Sequence, residues 1–154
     1  MTEYRTLAQA FVGNVQKRGT APFLFYNVER EWVPTSWNET AERVRYISLG
    51  LMTLGVKKGD RVACISETRP EIAYVCLAIA TSCAIFTGIY HTNSPKECAY
   101  VINDSGARVA SAEDQGQLNK LKMVLKDCPQ LEKIIVGHME NQSFEKNRSK
   151  DFDD

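Results

Sequence analysis

The amino-acid sequence predicts an α/β fold: a mostly parallel sheet with alternating helices, preceded by an N-terminal helix and a short β-hairpin. Three observations carry this reading. From Asp60 onward, short apolar runs alternate with helical patterns of about ten or more residues, the arrangement of parallel strands joined by right-handed crossovers. Two segments, Ser36-Trp37-Asn38-Glu39 and Ser94-Pro95-Lys96-Glu97, have the spacing of a helix-starting capping box. Ahead of the first of these, two extended runs flank a polar turn, as in a hairpin.

In chain order, residues 2–17 predict a first helix, with Leu7, Ala10, Phe11 and Val15 toward one side and Gly19 ending it. Residues 21–26 form an apolar run, 27–31 a polar turn, and 32–35 a second extended run. Pro34 in that second run marks an edge strand, because proline has no N–H to give to a ladder. After Ser36, the residues Thr40, Val44, Ile47, Leu51 and Leu54 recur at steps of four and three, one face of an amphipathic helix. Gly55 suits a left-handed helix stop. Residues 57–60 turn the chain into a strand over 61–65.

Pro70 fits the first turn of the next helix, and Glu71 places negative charge at its positive end. The run from Ile72 to Ile79 leaves almost no polar face, so this helix is expected to be buried on more than one side. Residues 84–89 predict a second buried strand. Ser94 then starts a helix that runs to about Asp104. Residues 107–110 predict a third strand and residues 114–126 a further helix, with Leu118, Leu121 and Leu125 on one face and Pro129 closing it. Residues 133–136 predict the fourth strand.

The chain has 154 residues, a length that suits one domain with a buried core. Charged residues make up 25% and hydrophobic residues 44%. Lys plus Arg and Asp plus Glu both number 19, for a formal net charge of zero. That balance gives no nucleic-acid footprint and little repulsion against self-association. Met1 to Arg5 lack a secretory pattern, and no segment reaches the ~18 apolar residues of a bilayer span. The expectation is a cytoplasmic location, with peripheral membrane association left open. Residues 1–140 read as the folded portion. Half of residues 141–154 are charged, so a disordered tail is expected there.

The five cysteines, Cys64, Cys76, Cys83, Cys98 and Cys128, form no CxxC pair, which argues against a disulfide framework or zinc site. Small buried hydrophobes are the expectation for Cys64, Cys76 and Cys98. The two histidines, His91 and His138, are far apart and carry no partner nearby in sequence. His91 has the better claim to a site. It follows a strand's carboxyl end, where open α/β sheets bind ligands. Arg69 and Glu71 follow the neighbouring strand and could line the same edge, or simply pair with each other.

Several of these segments also resemble a known family. The stretch Leu54-Gly55-Val56-Lys57-Lys58-Gly59-Asp60-Arg61-Val62-Ala63-Cys64-Ile65-Ser66-Glu67-Thr68-Arg69-Pro70-Glu71 is similar to the N-terminal signature of the AMP-forming acyl-CoA synthetases, the adenylate-forming ligases. Thr68 stands where that family usually has Asn, and Ser82-Cys83-Ala84 replaces its usual Ala-Gly-Ala. The segment from Gly88 through Tyr90-His91-Thr92-Asn93-Ser94-Pro95-Lys96-Glu97 to Ile102 resembles the long-chain fatty-acid–CoA ligase branch in particular. The likeness covers about residues 35–136.

The resemblance implies a partial N-terminal subdomain of the adenylate-forming ligase fold. The complete family enzyme uses ATP with Mg2+ to convert a fatty acid to an acyl-adenylate, then passes the acyl group to coenzyme A. Its Ser/Thr/Gly-rich phosphate loop, adenine motif, ribose-holding acid and C-terminal lysine lie beyond the segments matched here. The resemblance therefore assigns no catalytic or cofactor-binding residue to this chain and implies inactivity of the chain alone. It leaves Arg69, Tyr90 and His91 as substrate-side candidates. Two other readings stay open: a non-catalytic binding or dimerising α/β module, and an unrelated small α/β protein with a nucleotide or a redox thiol.

Overall fold

The two capping boxes form and set the helix starts. Ser36 Oγ accepts from the Glu39 amide at 3.2 Å, and Glu39 Oε2 accepts from the Ser36 amide at 2.8 Å. Ser94 and Glu97 repeat the arrangement, at 3.4 and 2.7 Å. The hydrogen bonds from Ser36 and Ser94 hold both glutamate carboxyls below their ordinary range. The computed structural model describes residues 4–137; the charged segment from 141 onward and His138 lie outside them.

The described chain runs α1 (Leu7–Arg18), β1 (Pro22–Val28), β2 (Glu31–Ser36), α2 (Trp37–Thr53), β3 (Arg61–Ser66), α3 (Pro70–Thr81), β4 (Ile85–Tyr90), α4 (Pro95–Ser105), β5 (Val109–Ala112), α5 (Gln115–Met123), a single 3-10 turn (Leu125–Asp127) and β6 (Lys133–Val136). β1 and β2 pair antiparallel. The other four strands make one parallel sheet in the order β4-β3-β5-β6.

β3 is the centre of this sheet, paired with β4 on one side and β5 on the other. Its side chains alternate between two cores. Ala63 and Ile65 pack with Cys98, Ala99 and Ile102 of α4 and with Leu118 and Leu121 of α5. Val62 and Cys64 pack with Phe11 of α1, Val44 and Leu51 of α2, and Tyr74, Leu77 and Ala78 of α3. The period of two along a strand thus divides the helices into two layers with the sheet between them. Phe11, Phe23 and Trp37 close the hairpin onto the second layer, with ring centroids 4.3–6.2 Å apart.

Helix ends follow local chemistry. Gly55 adopts φ 88°, and the Val56 amide returns to the Leu51 carbonyl at 3.0 Å. Gly106 caps α4 at φ 64°. Arg61 then clamps the end of α4, donating to the Ser105 carbonyl at 2.8 Å and to the Gly106 carbonyl at 3.0 Å. Ser48 of α2 hydrogen-bonds Thr81 of α3 at 2.8 Å, fixing those two helices against each other.

Five expectations are corrected. α1 starts at Leu7, with Thr6 as its cap accepting from the Gln9 amide, and not at residue 2. The hairpin turn is the two-residue Glu29-Arg30, both at positive φ, braced by Asn27 Oδ1 accepting from the Arg30 amide. That backbone usually takes Asn-Gly, so its sequence signal is missing here. The third strand lies at 109–112, two residues later than expected, and the helix after it ends at Met123, where the chain tightens into the 3-10 turn. β4 is not a buried strand. It is an edge strand, and among its side chains only Ile89 is buried, while Ile85, Phe86 and Tyr90 are exposed. The crossover through α4 returns the chain to the far side of β3 and leaves β4 with one neighbour among the described strands.

Ile102 is fully buried between the sheet and α4, whereas Tyr100 on the same helix is exposed. Ile102→Ala should therefore cost about 2–5 kcal/mol of unfolding free energy. Tyr100→Ala should change it by less than about 0.5 kcal/mol. Urea denaturation of the two variants side by side checks the contrast; equal losses would contradict this packing.

Candidate functional site at the carboxyl edge

Parallel strands present all their carboxyl ends at one edge of a sheet. Here β3 ends at Ser66, β4 at Tyr90 and β5 at Ala112. The loops that follow carry Glu67 to Arg69, His91 to Asn93, and Glu113 with Asp114. The connection through α3 runs over one face of the sheet to β4, and that through α4 runs back over the other face to β5. The reversal falls between β3 and β5, the position at which open α/β sheets place a ligand crevice.

A polar seam fills that crevice. Glu113 Oε2 accepts from Ser66 Oγ at 3.0 Å and from the Glu67 amide at 2.8 Å. His91 Nε2 lies 3.7 Å from Glu67 Oε1. The His91 carbonyl accepts from Gln117 Nε2 at 3.4 Å and from Lys120 Nζ. Gln117 is buried, and its Oε1 has no hydrogen-bond partner among the described residues. Asp114 caps α5 by accepting from the Gln117 amide at 2.9 Å, which turns the first turns of that helix toward His91.

The three sequence candidates are placed differently. His91 enters the seam. Tyr90 stands beside it on the edge strand and is 78% exposed. Arg69 pairs with Glu71 at 3.6 Å, both partly exposed, and no hydrogen bond or ion pair joins Arg69 to His91 among the described residues. Sequence reasoning missed Glu113, Gln117 and Lys120. Their signal was the Asp114 cap, which places positions 117 and 120 on successive turns of α5 next to the carboxyl edge.

The edge is polar and more acidic than basic. Glu67, Glu113 and Asp114 face Lys120, which is committed to a carbonyl, and Arg69, which is committed to Glu71. Helix α4 meets the edge with the Ser94 and Glu97 amides bonded within its capping box, and helix α3 meets it with Pro70, which has no N–H, at its first position. The loops after β3, β4 and β5 contain no glycine and their cations are committed, so the lining forms no glycine-rich cradle for a triphosphate. Among the described residues no group of three His, Cys, Asp or Glu converges as a metal site. Burial pushes the Cys64 thiol up to about 12 and also raises Cys76, Cys98 and Cys128, so none of these four is an activated nucleophile. A separate open depression of about 680 Å³ lies along α1, lined by Tyr4, Gln9, Val12 and Thr81. Thr81 ends α3 at the opposite edge of the sheet, so this depression is not part of the crevice.

Comparison with known proteins decides the family. The model of the AMP-binding enzyme family matches residues 11–154. This chain belongs to that family. AMP-binding relatives include the long-chain-fatty-acid–CoA ligase ACSBG1 of Rattus norvegicus, 28% identical over 131 residues, which are 85% of this chain and 18% of that protein. The long-chain-fatty-acid–CoA ligase FadD15 of Mycobacterium bovis is 32% identical over 108 residues, 70% of this chain and 18% of that protein. Among solved structures, the anthranilate CoA ligase AuaEII in complex with anthranoyl-AMP superposes with a TM-score of 0.76 at 23% identity, covering 88% of this chain and 25% of its own. The chain thus spans about a fifth of the length of the curated AMP-binding relatives it matches. The fold is that of the N-terminal part of an adenylate-forming ligase.

The accessibility of the five free cysteines yields a direct check. Cys83 is exposed, whereas Cys64, Cys98 and Cys128 are buried. A thiol reagent should label Cys83 first in the native protein and reach Cys64 only on unfolding. Cys64 also sets a pH dependence. Its folded value near 12 exceeds the ordinary 9.0, so the unfolded chain ionises first and stability should fall as pH rises between them. Denaturation midpoints that stay flat over that alkaline window in the wild type, while matching a Cys64→Ala variant, would contradict the burial.

Proposed function

We propose that these 154 residues are the N-terminal scaffold of a long-chain fatty-acid–CoA ligase, whose complete reaction joins a fatty acid to coenzyme A with conversion of ATP to AMP and diphosphate. The observation that carries this reading is the likeness to long-chain ligases across 85% of the chain, combined with a carboxyl-edge crevice that lacks a phosphate cradle. In this reading the chain's own residues position and exclude. β3 and β5 hold the crevice open, Glu113 fixes the β3 loop, and His91, Tyr90 and Arg69 line the substrate side. ATP, Mg2+ and coenzyme A are cofactors of the complete enzyme. The residues described here do not fit the triphosphate, so no step of adenylation is assigned to them. The setting proposed is cytoplasmic; among the described residues no helix is long and apolar enough to cross a membrane.

A second reading, a non-catalytic or dimerising module, draws on one feature: the open, uncharged β4 edge with Ile85, Phe86 and Tyr90 exposed. Edge strands of natural proteins usually carry charge, proline or a cover.

Two measurements separate these readings. Supplied with palmitate, ATP, Mg2+ and coenzyme A, the 154-residue chain should release no pyrophosphate above background. Turnover by the chain alone would overturn the scaffold assignment. Size-exclusion chromatography over a range of concentrations tests the module: a shift to a dimer that Phe86→Lys abolishes supports it, and a constant monomer counts against it.

A further inference from the structure

β4 keeps one backbone edge without a partner strand among the described residues. The Ile85 amide donates to the Asp60 carbonyl at 2.8 Å, so Ile85, Thr87 and Ile89 turn their backbone groups toward β3. Phe86, Gly88 and Tyr90 alternate with them and turn theirs outward. The Asn93 amide already occupies the Tyr90 carbonyl at 3.0 Å. Phe86, Gly88 and Tyr90 also share one face of the sheet, on which the two aromatic side chains stand exposed on either side of the glycine. Nothing in the chain's own fold calls for glycine at 88. Its φ is not positive, and an added Cβ would come no nearer than 3.4 Å to the Phe86 ring, an ordinary contact. A glycine inside a strand often marks the close approach of another backbone.

The two ends of β4 differ in charge. The Gly59 amide donates to the Cys83 carbonyl at 2.9 Å, which lays the exposed Lys57-Lys58 turn beside the start of the strand. Asp60 in the same turn is engaged by Arg108. Beside the end of the strand, Glu67 stands against His91, while Arg69 pairs with Glu71 and Lys96 adjoins Glu97. The start is net basic, and the end is net acidic when His91 is neutral. Between them, Ala84 to Tyr90 carry no charge and no proline, the devices that blunt natural edges.

We infer that β4 pairs antiparallel with β4 of a second copy about a two-fold axis at Gly88, joining the two four-stranded sheets into one. This rests on the dimerising reading above and adds its partner strand, orientation and register. A two-fold axis requires the antiparallel orientation. That orientation sets each basic strand start against an acidic end, whereas a parallel copy would set like ends together. In this register Gly88 faces the partner's Gly88, where no side chain holds the backbones apart. Phe86 faces the partner's Tyr90, an aromatic cross-strand pair. One strand edge covers far less than the ~800 Å² per partner of a standard interface, so the pair should be reversible and favoured by concentration.

Size-exclusion chromatography over a range of concentrations, combined with cysteine cross-linking of the 154-residue chain, tests the register. Cys83→Gly removes the exposed native thiol at a position whose φ of 58° suits glycine. In that background, Gly88→Cys should form a disulfide-linked dimer at least about tenfold faster than Tyr90→Cys, because directly opposed hydrogen-bonded residues lie ~5.5 Å apart, within disulfide reach. Tyr90 is 78% exposed, so random collision would cross-link that position at least as readily. Gly88→Pro removes the outward N–H, is compatible with a monomeric edge strand, and should abolish the dimer while keeping the wild-type circular dichroism. A constant monomer at every concentration would overturn the inference and the dimerising reading together. A dimer that cross-links equally well through Tyr90→Cys, or that folded Gly88→Pro retains, would overturn the register and leave the dimerising reading standing.

Discussion

Strand β3 can exist only if both of its faces and both of its edges are covered. Val62, Ala63, Cys64 and Ile65 are all buried, and each backbone edge has a partner strand. A strand in that position cannot be built by the hairpin or by any single helix. It requires α1, α2 and α3 on one face and α4 and α5 on the other before it is dry. Every other element is positioned by that requirement. α3 must start at Pro70 to lie back along one layer, and α4 must start at Ser94 to cross to the other. The crevice between β3 and β5 is the geometric remainder of sending two crossovers over opposite faces.

The same construction underlies the scaffold role proposed for the edge of the sheet. The groups that reach the crevice spend their hydrogen bonds on one another. Glu113 ties the β3 loop, Gln117 and Lys120 tie the β4 loop, and Arg69 turns to Glu71. The buried Gln117 Oε1, without a partner among the described residues, and the His91 imidazole beside Glu67 can orient a polar atom but cannot neutralise a triphosphate. Membership of the AMP-binding family with coverage of about a fifth of its curated relatives agrees with this division of labour.

Much of the architecture was legible in the sequence because its punctuation is local. Ser36 with Glu39, Ser94 with Pro95 and Glu97, Gly55 and Gly106 each act within a turn of the residues that show them. The misreadings concern properties that no local pattern carries. Ile85 to Ile89 has the composition of a buried strand, yet its exposure depends on which side of β3 the next crossover lands. Ala107 is buried without being in a strand, which drew the expected third strand two residues early. Glu29 and Arg30 adopt a left-handed turn that their types do not advertise. In the site, His91 was visible because it ends an apolar run. Glu113, Gln117 and Lys120 were not, because their contacts with the loops after β3 and β4 span more than twenty residues of sequence and are made by the sheet order.

Amide hydrogen exchange tests the central claim, a doubly covered β3 beside an open β4, most directly. The amides of β3 should be the slowest in the molecule, opening only with global unfolding, while the amides of β4 that face away from β3 exchange quickly. Protection of both sets of β4 amides equal to that of β3, in a dilute monomeric sample, would contradict the account.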